Sequence, residues 1–284
     1  MCVIATIAVL CTIVASCVVA GRHRHHPILQ SPTAPPSRLG VYIGYGQSNS
    51  DCSSSLGYKV THADDIFQYY AGRSIGVGTM QRPVNETYLY SEPMLGATMP
   101  FGCVYGPLGD ILINRGMHDQ VVFATCGLGG SPLSGLAFPE TEPFRFLVAT
   151  YKGLLSKFGH VDGILFHQGE SDAYWMNPLG SVTYRDTFIE FLDNMRDHGI
   201  AEPTVYVSRA TYCLKTVDNT LSNIQANLVD IGDNIKPGPN TDLYIDDEYR
   251  RDQCHFTLSG MQVLAQAWYD ALSTEKLNLI QDFP

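Results

Sequence analysis

Val41-Tyr42-Ile43-Gly44-Tyr45-Gly46-Gln47-Ser48-Asn49-Ser50 is the stretch on which the reading of this sequence turns. Leu39 to Tyr45 is a short apolar run with β-branched and aromatic residues, bounded by glycine, which is the pattern of a buried strand. Gly46 lets the backbone turn sharply at its end, and the turn presents one serine, Ser48. A serine hydroxyl is a poor nucleophile at neutral pH. The turn therefore carries chemistry only if a base, an orienting acid and oxyanion donors lie elsewhere in the chain.

Three further stretches supply candidates. The apolar run Gln120 to Thr125 feeds Cys126-Gly127-Leu128-Gly129-Gly130-Ser131, and Val161 to Phe166 delivers His167-Gln168-Gly169-Glu170-Ser171-Asp172. Asp252-Gln253-Cys254-His255 precedes an amphipathic helix that Thr257 can cap, with Leu258, Met261, Leu264, Ala265, Trp268 and Leu272 inward. Between these stretches the apolar spacing predicts helices over Pro107 to Asn114 and Pro143 to Phe158. It predicts a third from Tyr184 to its stop at Gly199, and a fourth over Asn219 to Val229. Thr204 to Ser208 reads as a strand and Leu243 to Ile245 as a short last one. Tyr58 to Pro93 has no clean period and reads as long surface loops walling a substrate site.

Strands alternating with helices imply parallel βαβ units with helices on both faces of one sheet. The four stretches then converge at the carboxyl edge, where active sites of such folds form. In that arrangement Ser48 can attack an acyl carbonyl once His255 takes its proton. Asp252, three residues earlier, can fold back to orient the imidazole and stabilise the cation. Cys254 reads as a packing or disulfide residue, because nothing near it in sequence except His255 would lower its pKa.

In this order, Gly-Gln-Ser-Asn, Gly-Gly-Ser, His-Gln-Gly-Glu and Asp-x-x-His together resemble the SGNH hydrolase superfamily. Within it, the likeness is to the sialate O-acetylesterase-like branch of carbohydrate esterases. Glu92-Pro93-Met94 and Gly102 to Gly106 resemble the family more weakly. The resemblance implies a three-layer α/β/α sandwich on a flavodoxin-like parallel sheet, over roughly Leu39 to Leu272. It implies an oxyanion hole made from the Ser48 and Gly129 backbone N–H groups and the Gln168 side-chain amide, with Gly130 as the alternative to Gly129. Gln168 stands where many members of the superfamily have Asn and points to the sialate branch. His167 either orients the Gln168 loop or touches substrate, and Glu170 and Asp172 are expected to hold that loop by buried hydrogen bonds. The implied activity is a serine esterase removing O-acetyl groups from carbohydrate without metal or cofactor. A lipid or thioester hydrolase with the same triad and a non-catalytic carbohydrate-binding surface module are the alternatives.

Composition narrows the partners. The chain has 284 residues and a formal net charge of -10, with no long basic run, which argues against nucleic acid and for a neutral or weakly charged substrate. Residues 1–21 read as a signal peptide or an N-terminal membrane anchor, 22–38 as a proline-rich linker and 39–284 as the esterase domain. The expected location is secreted, or membrane-anchored through residues 1–20. His23, His25 and His26 read as a solvated run. Cys2, Cys11 and Cys17 fall in the leader. Cys52, Cys103, Cys126, Cys213 and Cys254 remain, an odd number that leaves at least one free thiol and allows one or two disulfides of undetermined pairing. Asn85-Glu86-Thr87 is a glycosylation sequon.

Overall fold

β1 (Leu39–Gly46) is buried at every position after the first, as a strand covered on both faces must be. The computed structural model describes residues 38–72, 82–173 and 175–281. The leader and most of the linker lie outside the described residues. Among the described residues, no helix is long and apolar enough to cross a membrane.

The other strands are β2 (Ile66–Tyr70), β3 (Glu86–Leu89), β4 (Gln120–Thr125), β5 (Gly163–His167), β6 (Thr204–Arg209) and β7 (Ile235–Asn240). They form one sheet in the order β3-β2-β4-β1-β5-β6-β7. All neighbours pair in parallel except β2 and β3, so the sheet is mixed where a parallel one was expected. The helices are α1 (Tyr105–Asn114), α2 (Glu142–Phe158), α3 (Gly180–Asp197), α4 (Asn219–Ala226) and α5 (Leu258–Gln281).

Two cores lie on opposite faces of the sheet. Ile43, Tyr45, Ala124 and Phe166 pack with Phe144 and Leu147 of α2, Phe188 and Phe191 of α3, and Leu221 of α4. Tyr42, Val121, Phe123 and Leu165 pack with Tyr105 and Leu108 of α1 and with Met261, Leu264 and Trp268 of α5. The alternation of strand side chains thus produces the three layers. Each large apolar side chain so buried is worth about 1.5–3 kcal/mol relative to leaving it exposed.

Three expectations are corrected. The stretch from Tyr58 to Pro93 is not all loop, for β2 and β3 form a hairpin there, and the wholly buried Ile66-Phe67-Gln68-Tyr69-Tyr70 lacks alternation because both its faces are covered. The last strand is Ile235–Asn240, while Thr241–Leu243 is a 3₁₀ turn and Leu243 is exposed. Leu258, expected inward on α5, is exposed in the helix's first turn.

The sheet order reverses at β1, which lies between β4 and β5. The chain fills the β4 side first and then crosses to the β5 side. At such a switch point the loops leaving the strand ends diverge and open a crevice. The Ser48, Gly129 and His167 loops all leave from β1, β4 and β5 at this place.

Candidate functional site

Gly46 ends β1 with φ 141°, and a Cβ there would lie 2.0 Å from His167 O. Only glycine lets the two strand ends approach so closely. The chain then winds into a tight turn in which Ser50 N and Asp51 N donate to Gln47 O at 2.9 and 3.0 Å, leaving the Ser48 side chain on the crevice. Thr98 donates from its backbone and its hydroxyl to Asp51, which ties the facing loop to this turn.

The Asp252 to His255 turn lies across from Ser48. Asp252 Oδ1 accepts from His255 N at 2.7 Å and Cys254 N at 3.2 Å, and Gln253 adopts φ 64° to close the turn. Asp252 Oδ2 is 2.8 Å from His255 Nδ1, and His255 Nε2 is 3.0 Å from Ser48 Oγ. Burial works to raise the Asp252 carboxyl. The hydrogen bonds and charge of His255, with Arg251 nearby, outweigh it and hold the group below the usual carboxylate range.

Gly129 lies beside the serine, since a Cβ on it would be 3.8 Å from Ser48 Cβ. Gly130 has φ 72° and would meet nothing within 4 Å. Among the described residues, the backbone N–H groups of Ser48, Gly129 and Gly130 have no protein acceptor. Gln168 stands differently from expectation. Its side chain is fully buried, and its amide nitrogen faces Asp172 Oδ2 at 2.5 Å, Ser131 O at 3.2 Å and Gln47 Oε1 at 3.4 Å. Those acceptors already exceed its two hydrogens, and the side chain does not line the crevice.

The remaining residues of this loop knit the site together. Asp172 Oδ2 also accepts from Leu133 N at 2.7 Å, and burial pushes its carboxyl up. His167 Nε2 lies 3.2 Å from Glu170 Oε1, the same oxygen that accepts from Asn49 Nδ2 at 2.8 Å. Burial would raise Glu170, but His167 and the two hydrogen bonds prevail and keep it below its ordinary value. His167 is buried away from the crevice, whereas Glu170 lines it. Gln47 Oε1 accepts from Ser171 N at 3.1 Å and joins the serine turn to the same loop.

The crevice has a volume of about 560 Å³ and is walled by Met99, Leu128 and Met176 around the polar group of Ser48, Glu170 and His255. Cys213 and Cys254 form a disulfide on its rim, and Cys52 and Cys103 form a second beneath the serine turn. Cys126 is buried and belongs to neither disulfide. Among the described residues, no group of three or more His, Cys, Asp or Glu could hold a metal ion.

Residues 38–274 match the model of the family described as carbohydrate esterase, sialic acid-specific acetylesterase. The chain belongs to this family. It is therefore a carboxylic ester hydrolase of the carbohydrate acetylesterase type, and its sheet and helices agree with SGNH and GDSL-like hydrolases of known structure. An Arabidopsis thaliana protein superposes with a TM-score of 0.62 at 15% identity, covering 84% of this chain and 99% of that one. NanS gives 0.58 at 13% identity, over 86% of this chain and 99% of its own. A protein described as a GDSL-like lipase from Parabacteroides merdae gives 0.52 at 13%, over 84% and 98%. At these identities the likeness speaks for the fold alone. Among curated proteins, none matches the sequence significantly.

Several groups that shape the crevice had no role assigned to them from the sequence alone. Gln47 and Asn49 flank Ser48 in the motif, but only the fold reveals that they bond to the His167 loop. Arg250 stands in a charged run beside Arg251 and Asp252, yet it is 2% exposed.

Proposed function

We propose that this esterase removes O-acetyl groups from carbohydrate through an acyl-enzyme, with Ser48 as nucleophile, His255 as general base and acid, and Asp252 as the group that orients the imidazole. The observation that carries the reading is the continuous chain of contacts Asp252 Oδ2, His255 Nδ1, His255 Nε2, Ser48 Oγ at 2.8 and 3.0 Å. With Nδ1–H donated to Asp252, Nε2 is left as the acceptor that Ser48 needs. Attack of Oγ on the acetyl carbonyl transfers its proton to Nε2 and forms a tetrahedral oxyanion. Nε2 then protonates the departing sugar oxygen. Water, deprotonated by His255, releases acetate from Ser48 in a second attack of the same kind.

The oxyanion donors in this reading are the Ser48 and Gly129 backbone N–H groups, which have no protein acceptor among the described residues and belong to neighbouring turns, a Cβ on Gly129 falling 3.8 Å from Ser48 Cβ. Gln168 is assigned to bracing the Gly129 turn through Ser131 O, in place of the donor role expected from the resemblance. His167, Glu170 and Asn49 position the loop. The substrate proposed is an O-acetylated sialic acid or polysaccharide. Two disulfides support an oxidising compartment, secreted or held at a membrane through residues 1–20.

Hydrolysis of p-nitrophenyl acetate by wild type and Ser48→Ala tests the triad, with a fall of about 10⁴-fold or more expected. Equal activity in the two would refute it. Acetate release from acetylated xylan against O-acetylated sialic acid then assigns the sugar, and a series of longer acyl esters tests the lipid or thioester alternative.

A further inference from the structure

We propose that Arg250 is a positioning residue for the Ser48 and His255 pair, acting through the backbone carbonyl of Cys254. The proposal rests on the triad reading above. Arg250 Nη1 donates to Cys254 O at 2.6 Å, Nε to Tyr244 O at 2.7 Å and Nη2 to Thr241 O at 2.8 Å. Its guanidinium lies 3.7 Å from the centre of the Phe256 ring and 5.3 Å from that of Tyr212. Arg250 and Phe256 also pair as an isolated bridge, so they clamp the two ends of the segment that holds Asp252 and His255.

The carbonyl it holds is a junction. Cys254 O also accepts from Asn49 Nδ2, at 3.3 Å. Asn49 immediately follows Ser48, and Cys254 immediately precedes His255. One oxygen atom therefore fixes the nucleophile turn and the base turn relative to each other, and Arg250 fixes that oxygen.

Stability alone does not account for this arginine. A buried guanidinium is costly unless its donors are met, and apolar residues of similar volume often serve stability as well or better. Burial draws Arg250 down to about 10, opposed in part by Glu170 and Asp242, and it stays charged at neutral pH. Its fork reaches three carbonyls through three separate nitrogens, a span that a lysine ammonium, with its three donors on one atom, does not reproduce. The Cys213–Cys254 disulfide holds the same loop covalently, so loss of Arg250 leaves the segment attached but free to shift.

The test uses Arg250→Lys and Arg250→Met in the full chain, beside wild type and Ser48→Ala, with p-nitrophenyl acetate kinetics, circular dichroism, thermal melting and the pH profile of kcat. The expected result is a folded protein with KM within about twofold and kcat lower by roughly 100-fold, the cost of a displacement near 1 Å at a reacting pair. Lysine should fail to rescue. Wild-type kcat in folded Arg250→Lys, or a loss that follows KM or melting and not kcat, overturns the proposal. If both Arg250 variants fail to fold, Asn49→Ala decides: reduced kcat at unchanged KM supports the shared carbonyl, and wild-type kcat refutes it. A fully active Ser48→Ala would overturn the triad reading itself. An inert Ser48→Ala beside a fully active Arg250→Lys would overturn only the positioning role.

Discussion

His255 Nε2 lies 3.0 Å from Ser48 Oγ although the two are 207 positions apart in sequence. The imidazole can act as a base there only in the tautomer whose proton sits on Nδ1, and the Asp252 carboxylate at 2.8 Å selects that tautomer. Asp252→Asn keeps the side chain's shape but offers Nδ1 an amide donor, so the proton moves to the nitrogen that faces Ser48. We expect kcat for p-nitrophenyl acetate to fall about 10⁴-fold with an unaltered fold, measured by steady-state kinetics alongside circular dichroism. An activity within tenfold of wild type would deny Asp252 this role.

Glu170 is expected to make the protein's stability sensitive to acid. Burial alone would raise its carboxyl, but His167 and its hydrogen bonds with Asn49 hold it below the value it has in an unfolded chain. A group depressed on folding contributes its stability fully above the unfolded pKa, near 4.3 for Glu, and loses it as pH falls through the lower folded value. Asp252 acts in the same direction, more weakly because its side chain is 44% exposed and screened by solvent. Urea midpoints should be flat from neutral pH down to roughly 5 and decline below about 4. Glu170→Gln should be less stable at neutral pH and show a shallower decline. An unchanged slope in the variant would assign the acid sensitivity to other carboxylates.

Gly46→Ala should disrupt both sides of the crevice. The new methyl would lie 2.0 Å from a backbone oxygen, His167 O, which has no rotamer by which to move away. The residue also holds φ 141°, where a side chain is strained. A destabilisation of more than about 1 kcal/mol by urea titration is expected, together with loss of esterase activity. Full activity in Gly46→Ala would mean that the strand ends tolerate separation.

The parts of this architecture that the residues spelled out are those where one physical rule acted alone. β1, β4 and β5 are apolar runs ended by glycine or a polar motif, and α2 has a stripe at helical spacing. Asp252 and His255 are three apart, so their contact is nearly local. The unread parts obey rules that act between distant segments. β7 contains Pro237 and Pro239, which read as turn residues and are tolerated because this strand is at the sheet edge. β2 carries a wholly buried Gln68, whose amide is satisfied by Leu89 O and Ser91 Oγ from the neighbouring strand and its loop. Arg250 sits in an Arg-Arg-Asp run that looks solvated, and only the tertiary fold supplies the three carbonyls that bury it. The resemblance implies that Gln168 serves the oxyanion, whereas in the fold Asp172 and Ser131 take its amide.

The Cys213–Cys254 disulfide joins the loop after β6 to the residue before His255, closing a span of 41 positions. A crosslink of that length restricts the unfolded chain, and its removal costs about 2–4 kcal/mol. Cys213→Ala/Cys254→Ala should lower the urea midpoint accordingly, in contrast to Cys126→Ala, which removes no crosslink. The effect on kcat should be milder than on stability, because the Cys254 carbonyl stays bonded to Arg250 and Asn49 when the sulfur is gone. Stability and turnover are thus expected to separate: the disulfide chiefly raises the free energy of unfolding, while the hydrogen bonds on the carbonyl set the distance between base and nucleophile. Parallel measurement of urea midpoint and kcat in the double variant checks this, and a kcat loss as large as that of Asp252→Asn would place the positioning in the sulfur bridge instead.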